Sequence, residues 1–78
     1  MKRKFKPGVY KHFKGKMYLA LMLVKDCETL DDLVVYMPLY NDSEIGTRGW
    51  VRELSDFMGK KKLEDGTMVD RFEFISER

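Results

Sequence analysis

Aromatic rings and arginines, rather than paired acids and bases, dominate the chemistry-bearing residues of this 78-residue chain. Tyr10, Tyr36, Tyr40 and Trp50 would each serve as ordinary sheet packing, yet together they form a surplus in so short a chain. Where the ends of adjacent strands bring such rings together, they build a shallow groove that can grip a proline-rich peptide, a flat ring or a cation. Arg52 follows Trp50 by two positions, which puts both on one strand face. It offers a bidentate contact to a carboxylate or phosphate, against the ordinary structural reading of a salt bridge to a loop acid. Arg71 carries the same two readings, with Asp70 and Glu73 as near neighbours.

His12 is the only histidine, so any catalytic or metal role must be built with carboxylates or Cys27 alone, and no metal-ligand spacing is present. A two-residue turn at Lys14-Gly15 sets Phe13 opposite Lys16 and His12 opposite Met17. That register places His12 on an apolar side, donating a hydrogen bond at the rim of the fold rather than acting as a general base. Cys27, the single cysteine, allows no internal disulfide and lies between Asp26 and Glu28, a setting unsuited to a thiolate nucleophile. No catalytic residue, metal ligand or cofactor is expected, and the chain reads as a non-enzyme.

The net charge is +2, but it is unevenly placed. Residues 1–16 hold Lys2, Arg3, Lys4, Lys6, Lys11, Lys14 and Lys16 with no acid, a segment of +7, and the remainder sums to −5 from eight basic and thirteen acidic residues. Interleaved with Phe5, Tyr10 and Phe13, these cations supply phosphate contacts and stacking surfaces, the basis of an alternative reading as an RNA or single-stranded DNA binder. The competing reading is a solvated tail. Lys60-Lys61-Lys62 reads as protection of an exposed strand edge against pairing with another chain.

The elements that must position these residues are short strands. At 78 residues there is room for one domain that buries only about 60% of its unfolded surface. Residues 1–7 read as a flexible basic arm, with Pro7-Gly8 as the break, and residues 8–78 as the domain. Val9 to Phe13 is the first strand. Lys16 to Lys25 is the second and longest, with Met17, Leu19, Leu21 and Leu23 on one side and Tyr18, Ala20, Met22 and Val24 on the other, so both faces are expected to be covered. Asp26 to Asp32 is a polar hairpin connection. Leu33 to Tyr40 is the third strand, with Leu33, Val35, Met37 and Leu39 as the expected core side and Val34, Tyr36, Pro38 and Tyr40 opposite; Pro38 limits full pairing to one flank or forces a corner. After a loop from Asn41 to Gly49, Trp50-Val51-Arg52 forms a short strand, and Glu53 to Met58 one helical turn that Gly59 ends. Asp65-Gly66 marks a hairpin in which Leu63 faces Met68. The polar pair Asp70-Arg71 then predicts a bulge or a change of partner before Phe72 to Ile75. The expected fold is mainly β, a small SH3-like antiparallel barrel or strongly bent sheet of five to six strands with at most one short helical turn.

The ordered set Tyr10-Lys11-His12-Phe13-Lys14-Gly15-Lys16-Met17-Tyr18, Glu28-Thr29, Leu33-Val34-Val35-Tyr36, Leu39-Tyr40, Trp50-Val51-Arg52 and Arg71-Phe72 resembles the small bacterial domain of unknown function 1653, from about Gly8 to Ile75. The resemblance implies an SH3-type barrel and brings no activity with it. Asp26-Cys27 stands where a His-Ser pair is usual in that pattern, and Glu53 where a proline often follows Trp-Val-Arg.

The leading expectation is therefore a small cytoplasmic binding module, monomer or weak dimer, that recognises a peptide or protein segment. Its ligand-binding residues would be Tyr10, His12, Tyr36, Tyr40, Trp50, Arg52 and Arg71. Besides the nucleic-acid alternative, a small-molecule sensor or enzyme using His12 with Arg52 is a third reading, which needs a closed pocket beside His12. No stretch is long and apolar enough for a bilayer, and Pro7-Gly8-Val9-Tyr10-Lys11 stands where a signal peptide's apolar run would be.

Overall fold

The computed structural model describes residues 4–40 and 49–77. Its strands are β1 (Gly8–His12), β2 (Met17–Lys25), β3 (Asp32–Pro38), β4 (Trp50–Glu53), β5 (Lys60–Lys62), β6 (Met68–Asp70) and β7 (Phe72–Ser76), with one helical turn, α1 (Leu54–Phe57), after β4. The fold is mainly β and antiparallel throughout: a five-stranded sheet in the order β4-β3-β2-β1-β7 and a two-stranded sheet of β5 and β6. The larger sheet is not closed into a barrel. The expected loop from Asn41 onward lies outside the described residues as far as residue 48.

Both tight hairpins differ from the expected two-residue turns by one position. In the first, His12 N donates to Lys16 O and Gly15 N to His12 O, so Phe13, Lys14 and Gly15 form a three-residue loop and Lys11, not His12, pairs with Met17. In the second, Leu63 N donates to Thr67 O and Gly66 N to Leu63 O, so Lys62, not Leu63, pairs with Met68. The reason is the same in each. A two-residue type I′ turn needs positive φ at both central residues, which Lys14 and Asp65 do not take, whereas Gly15 and Gly66, at 103° and 91°, supply the single left-handed residue that ends a three-residue loop. At Asp70 and Arg71 the expected change of partner occurs: Asp70 pairs with Lys60 and Phe72 with His12.

The buried face of the large sheet is the tyrosine face, the reverse of the expectation for β3. Val34 and Tyr36 are 0% and 4% exposed, whereas Leu39 is half exposed. Register partners share a face, so Tyr10 with Tyr18, Ala20 with Tyr36, and Phe72 with His12 all look inward. Val9 with Leu19, Leu19 with Met37, and Met22 with Val35 and Val51 look outward. The expectation that both faces of β2 are covered is corrected too, since Leu21, Met22 and Leu23 are exposed. A bulge between Ala20 and Met22 shifts the alternation there.

Ring volume decides which face is inside. Phe57 of α1 lies flat on Phe72 with centroids 4.2 Å apart and meets Tyr10 and Tyr36 edge-on at 5.0 and 5.4 Å. Phe5 stacks on Tyr10, so the inner face is roofed by rings that each bury more area than an aliphatic side chain. Pro38 ends β3 opposite Tyr18, beyond the reach of β4, whose pairing runs from Leu33 to Tyr36, so only one flank of the strand must pair there.

Candidate functional site

At one end of the inner face the aromatic core gives way to charge. Arg52 pairs with Val34 across β3 and β4, which turns its side chain inward beside Tyr36, and its Nε donates to the Tyr36 hydroxyl at 3.2 Å. Its guanidinium carbon lies 5.6 Å from the Phe72 ring centroid, so an aromatic face supports the cation from below. Its Nη1 donates to Asp56 Oδ2 at 2.5 Å. Asp56 sits on α1 at the i,i+4 position from Arg52. From the other side of the molecule, where the chain crosses from β6 to β7, Arg71 brings its Nε to 3.4 Å from Asp56 Oδ1. One carboxylate thus spans two guanidinium groups.

His12 stands beside this cluster. The one-residue correction of the first hairpin moves it from Met17 to the aromatic side, edge-on to Phe72 at 4.9 Å and to Tyr18 at 6.2 Å. Its Nδ1 accepts the Lys14 backbone N–H at 3.2 Å, so in the neutral ring the proton resides on Nε2. Burial, then the positive charges of Arg52, Arg71 and Lys14, lower its pKa from the ordinary imidazole value. Arg52 is moved the other way: burial opposes its charge, but hydrogen bonds to Tyr36 and Asp56 outweigh that and raise its pKa. The site thus combines a neutral imidazole, two guanidinium groups, one carboxylate and several aromatic rings.

The remaining expected ligand-binding residues separate into two groups. Tyr10 is core, 1% exposed, and its hydroxyl donates to Lys6 O at 2.7 Å. Tyr40 belongs to the site's rim, where its hydroxyl and that of Tyr18 lie 3.0 Å apart and Lys16 Nζ sits over its ring at 4.5 Å. Trp50 faces inward opposite Tyr36 at the sheet edge and remains 45% exposed. Asp56, Tyr18 and Phe72 escaped the sequence reading. The Arg52-x-x-x-Asp56 spacing across the start of a helical turn was the available signal for the first.

Of the basic residues, Lys2 and Arg3 lie outside the described residues. Lys4, Lys11, Lys14 and Lys16 are exposed, but Lys11 pairs with Glu73 on the outer face and Lys6 lies over Phe74, so these cations are spread over both faces. Lys60 pairs with Asp70 at 3.0 Å. A groove of about 470 Å³ lies beside His12, lined also by Phe13, Lys60, Met68 and Asp70, and the exposure of Met68 leaves it open to solvent. Among the described residues no three His, Cys, Asp or Glu side chains form a metal-holding group, and no helix is long and apolar enough to cross a membrane.

Comparison with known proteins agrees with the motif pattern. The model of a family described as a protein of unknown function, DUF1653, matches residues 8–74. The crystal structure of a protein belonging to DUF1653 from Bordetella bronchiseptica superposes with a TM-score of 0.84 at 33% identity, covering 100% of this chain and 96% of that one. No curated protein matches. With a family model matching residues 8–74 and a structural neighbour from that family covering its whole length, this chain belongs to the family of unknown function DUF1653.

Proposed function

We propose that this domain is a non-enzymatic binding module that recognises a peptide or protein segment through the groove at the charged end of its inner face. In this reading Tyr36, Tyr40, Trp50 and Arg52 contact the ligand, with His12 and Arg71 beside them. We read the fold as SH3-like, with its five-stranded sheet left open. The observation that carries the reading is Trp50: a large ring turned to the core face, opposite buried Tyr36 and next to Arg52, yet 45% exposed. A half-open indole beside tyrosine hydroxyls and a guanidinium is the composition of a peptide-binding groove. The non-enzymatic reading is supported by His12, the single histidine, whose Nδ1 accepts the Lys14 backbone N–H.

The test is a ¹⁵N–¹H titration of the full chain with pooled peptides, followed by Tyr40→Ala and Arg52→Ala. Shifts at the Trp50 indole, Tyr36, Tyr40 and Arg52 that either substitution abolishes, in a domain that stays folded, are the expected result. Binding that survives both substitutions refutes the groove.

A further inference from the structure

We infer that Arg52 and Arg71 form a carboxylate clamp, held in the free domain by Asp56 and completed in the bound state by a carboxylate of the ligand. This rests on the peptide-groove reading and names the chemical group that the groove takes.

The first argument is that Asp56 fills the clamp incompletely. Its Oδ2 takes Arg52 Nη1 at 2.5 Å, but its Oδ1 stands 3.4 Å from Arg71 Nε without hydrogen-bond geometry. That Nε atom is buried and has no hydrogen-bond partner among the described residues. A buried donor without an acceptor is a standing cost that a second pair of carboxylate oxygens would remove. The second argument is charge. Among the described residues two guanidinium groups face one carboxylate, and burial together with the charges of Arg52, Arg71 and Lys14 lowers the pKa of the adjacent His12. Among the described residues the cluster carries two cations against one carboxylate in a partly desolvated place, which attracts an anion.

The third argument is shape. Asp56 addresses the two arginines with one oxygen each, so their separation already matches a planar two-oxygen group, and guanidinium forks favour such groups. The fourth is access. The Asp56 side chain is 44% exposed while that of Arg71 is 23% exposed, so the carboxylate occupies the solvent side and a rotation of its own side chain uncovers both cations. Asp56 is thus a placeholder. It keeps the arginines oriented and is displaced by a competing carboxylate, either a chain terminus or an acidic side chain.

The full chain is titrated with N-acetyl-phenylalanine, its neutral amide, N-acetyl-aspartate diamide analogues that carry only a side-chain carboxylate, and inorganic phosphate. The Arg52 and Arg71 Hε signals, the Trp50 indole and the His12 imidazole titration are followed. The expected result is that carboxylate probes shift both Hε signals and raise the pH at which His12 titrates, whereas the amide does neither. Asp56→Asn should tighten carboxylate binding about 1.5- to fivefold, the span of partly exposed ion pairs. Arg71→Gln should abolish it, and Arg52→Lys, which keeps charge and fold, should weaken it. The ratio of the α-carboxylate to the side-chain probe identifies the source. Affinity unchanged or weakened in Asp56→Asn overturns the clamp, as does tighter binding of phosphate than of either carboxylate. Equal shifts of Trp50 by acid and amide, with silent Hε signals, leave the groove standing and the clamp refuted. Hε shifts with silent Trp50 and Tyr40 leave the clamp standing and refute the groove.

Discussion

Replacing Phe57 tests the link between the aromatic core and the charged site most directly. The ring is 0% exposed, lies flat on Phe72 at 4.2 Å and meets Tyr10 edge-on at 5.0 Å. It also belongs to a helix of four residues, far too short to be stable by itself, so its burial is what holds α1 and Asp56 in place. Truncating a buried phenylalanine to alanine costs about 3–5 kcal/mol. A domain of this length has a total of about 4–12 kcal/mol, so Phe57→Ala removes a large share and leaves a chain at the edge of folding. Phe57→Leu keeps most of the volume but loses the ring contacts, each worth about 0.5–1.5 kcal/mol beyond area, for a net loss of about 1–2 kcal/mol. With a slope of about 1 kcal/mol per molar urea for so small a domain, the leucine variant should unfold at about 1–2 M lower urea. Its Arg52 Hε signal should shift as Asp56 loosens, while the β2–β3 amides hold their positions. A loss below about 1 kcal/mol for Phe57→Ala would refute the argument, because α1 could not then be closing the core.

Four further outcomes are expected. Leu30 is 66% exposed and sits at φ 65°, a left-handed conformation that costs a side-chain-bearing residue about 1 kcal/mol, so Leu30→Gly should stabilise the domain by about 0.5–1 kcal/mol in urea titration. Gly15→Ala and Gly66→Ala should each lose about 1–2 kcal/mol although an added Cβ meets no atom within 4 Å at either position, and a neutral result would refute the left-handed conformation there. The His12 pKa read by NMR should lie below the ordinary value near 6.5 and rise only part of the way in Arg52→Gln, since burial is the larger cause. Because the folded value is the lower one, His12's contribution to stability is complete above the unfolded imidazole value and is lost as pH falls toward and through the folded one, which denaturation midpoints across that window will register. Ala20 is buried opposite Tyr36, so Ala20→Leu should cost about 1–3 kcal/mol by overpacking, measured the same way.

Much of the fold was legible because its signals are local. Turn formers and runs of apolar residues place β1 to β3 nearly where they occur, and Asp70-Arg71 marks the change of partner because a charged pair interrupts an apolar run. The helical turn ended by Gly59 was equally readable, since Met58 N and Gly59 N donate back to the carbonyls of Leu54 and Asp56. The candidate site was legible only in pieces. Arg52, Arg71 and His12 stood out by residue type, but Asp56, which joins the two arginines, is an unremarkable acid until the chain folds.

What the sequence determines by itself is thus the kind and order of elements: short antiparallel strands, glycine-bearing hairpins and one helical turn, all set by interactions within a few residues. Tertiary structure decides which face is inside and which groups meet. Alternation in β3 presents two apolar sides of nearly equal merit, and the choice falls to Phe57 and Phe5, which come from distant parts of the chain to roof the tyrosine side. One residue more in the first hairpin loop turns His12 from Met17 to Phe72, because a strand's side chains alternate and a single step changes their face. The meeting of Arg52 with Arg71 across one carboxylate likewise depends on β7 crossing back beside β1, a long-range arrangement that no local pattern encodes.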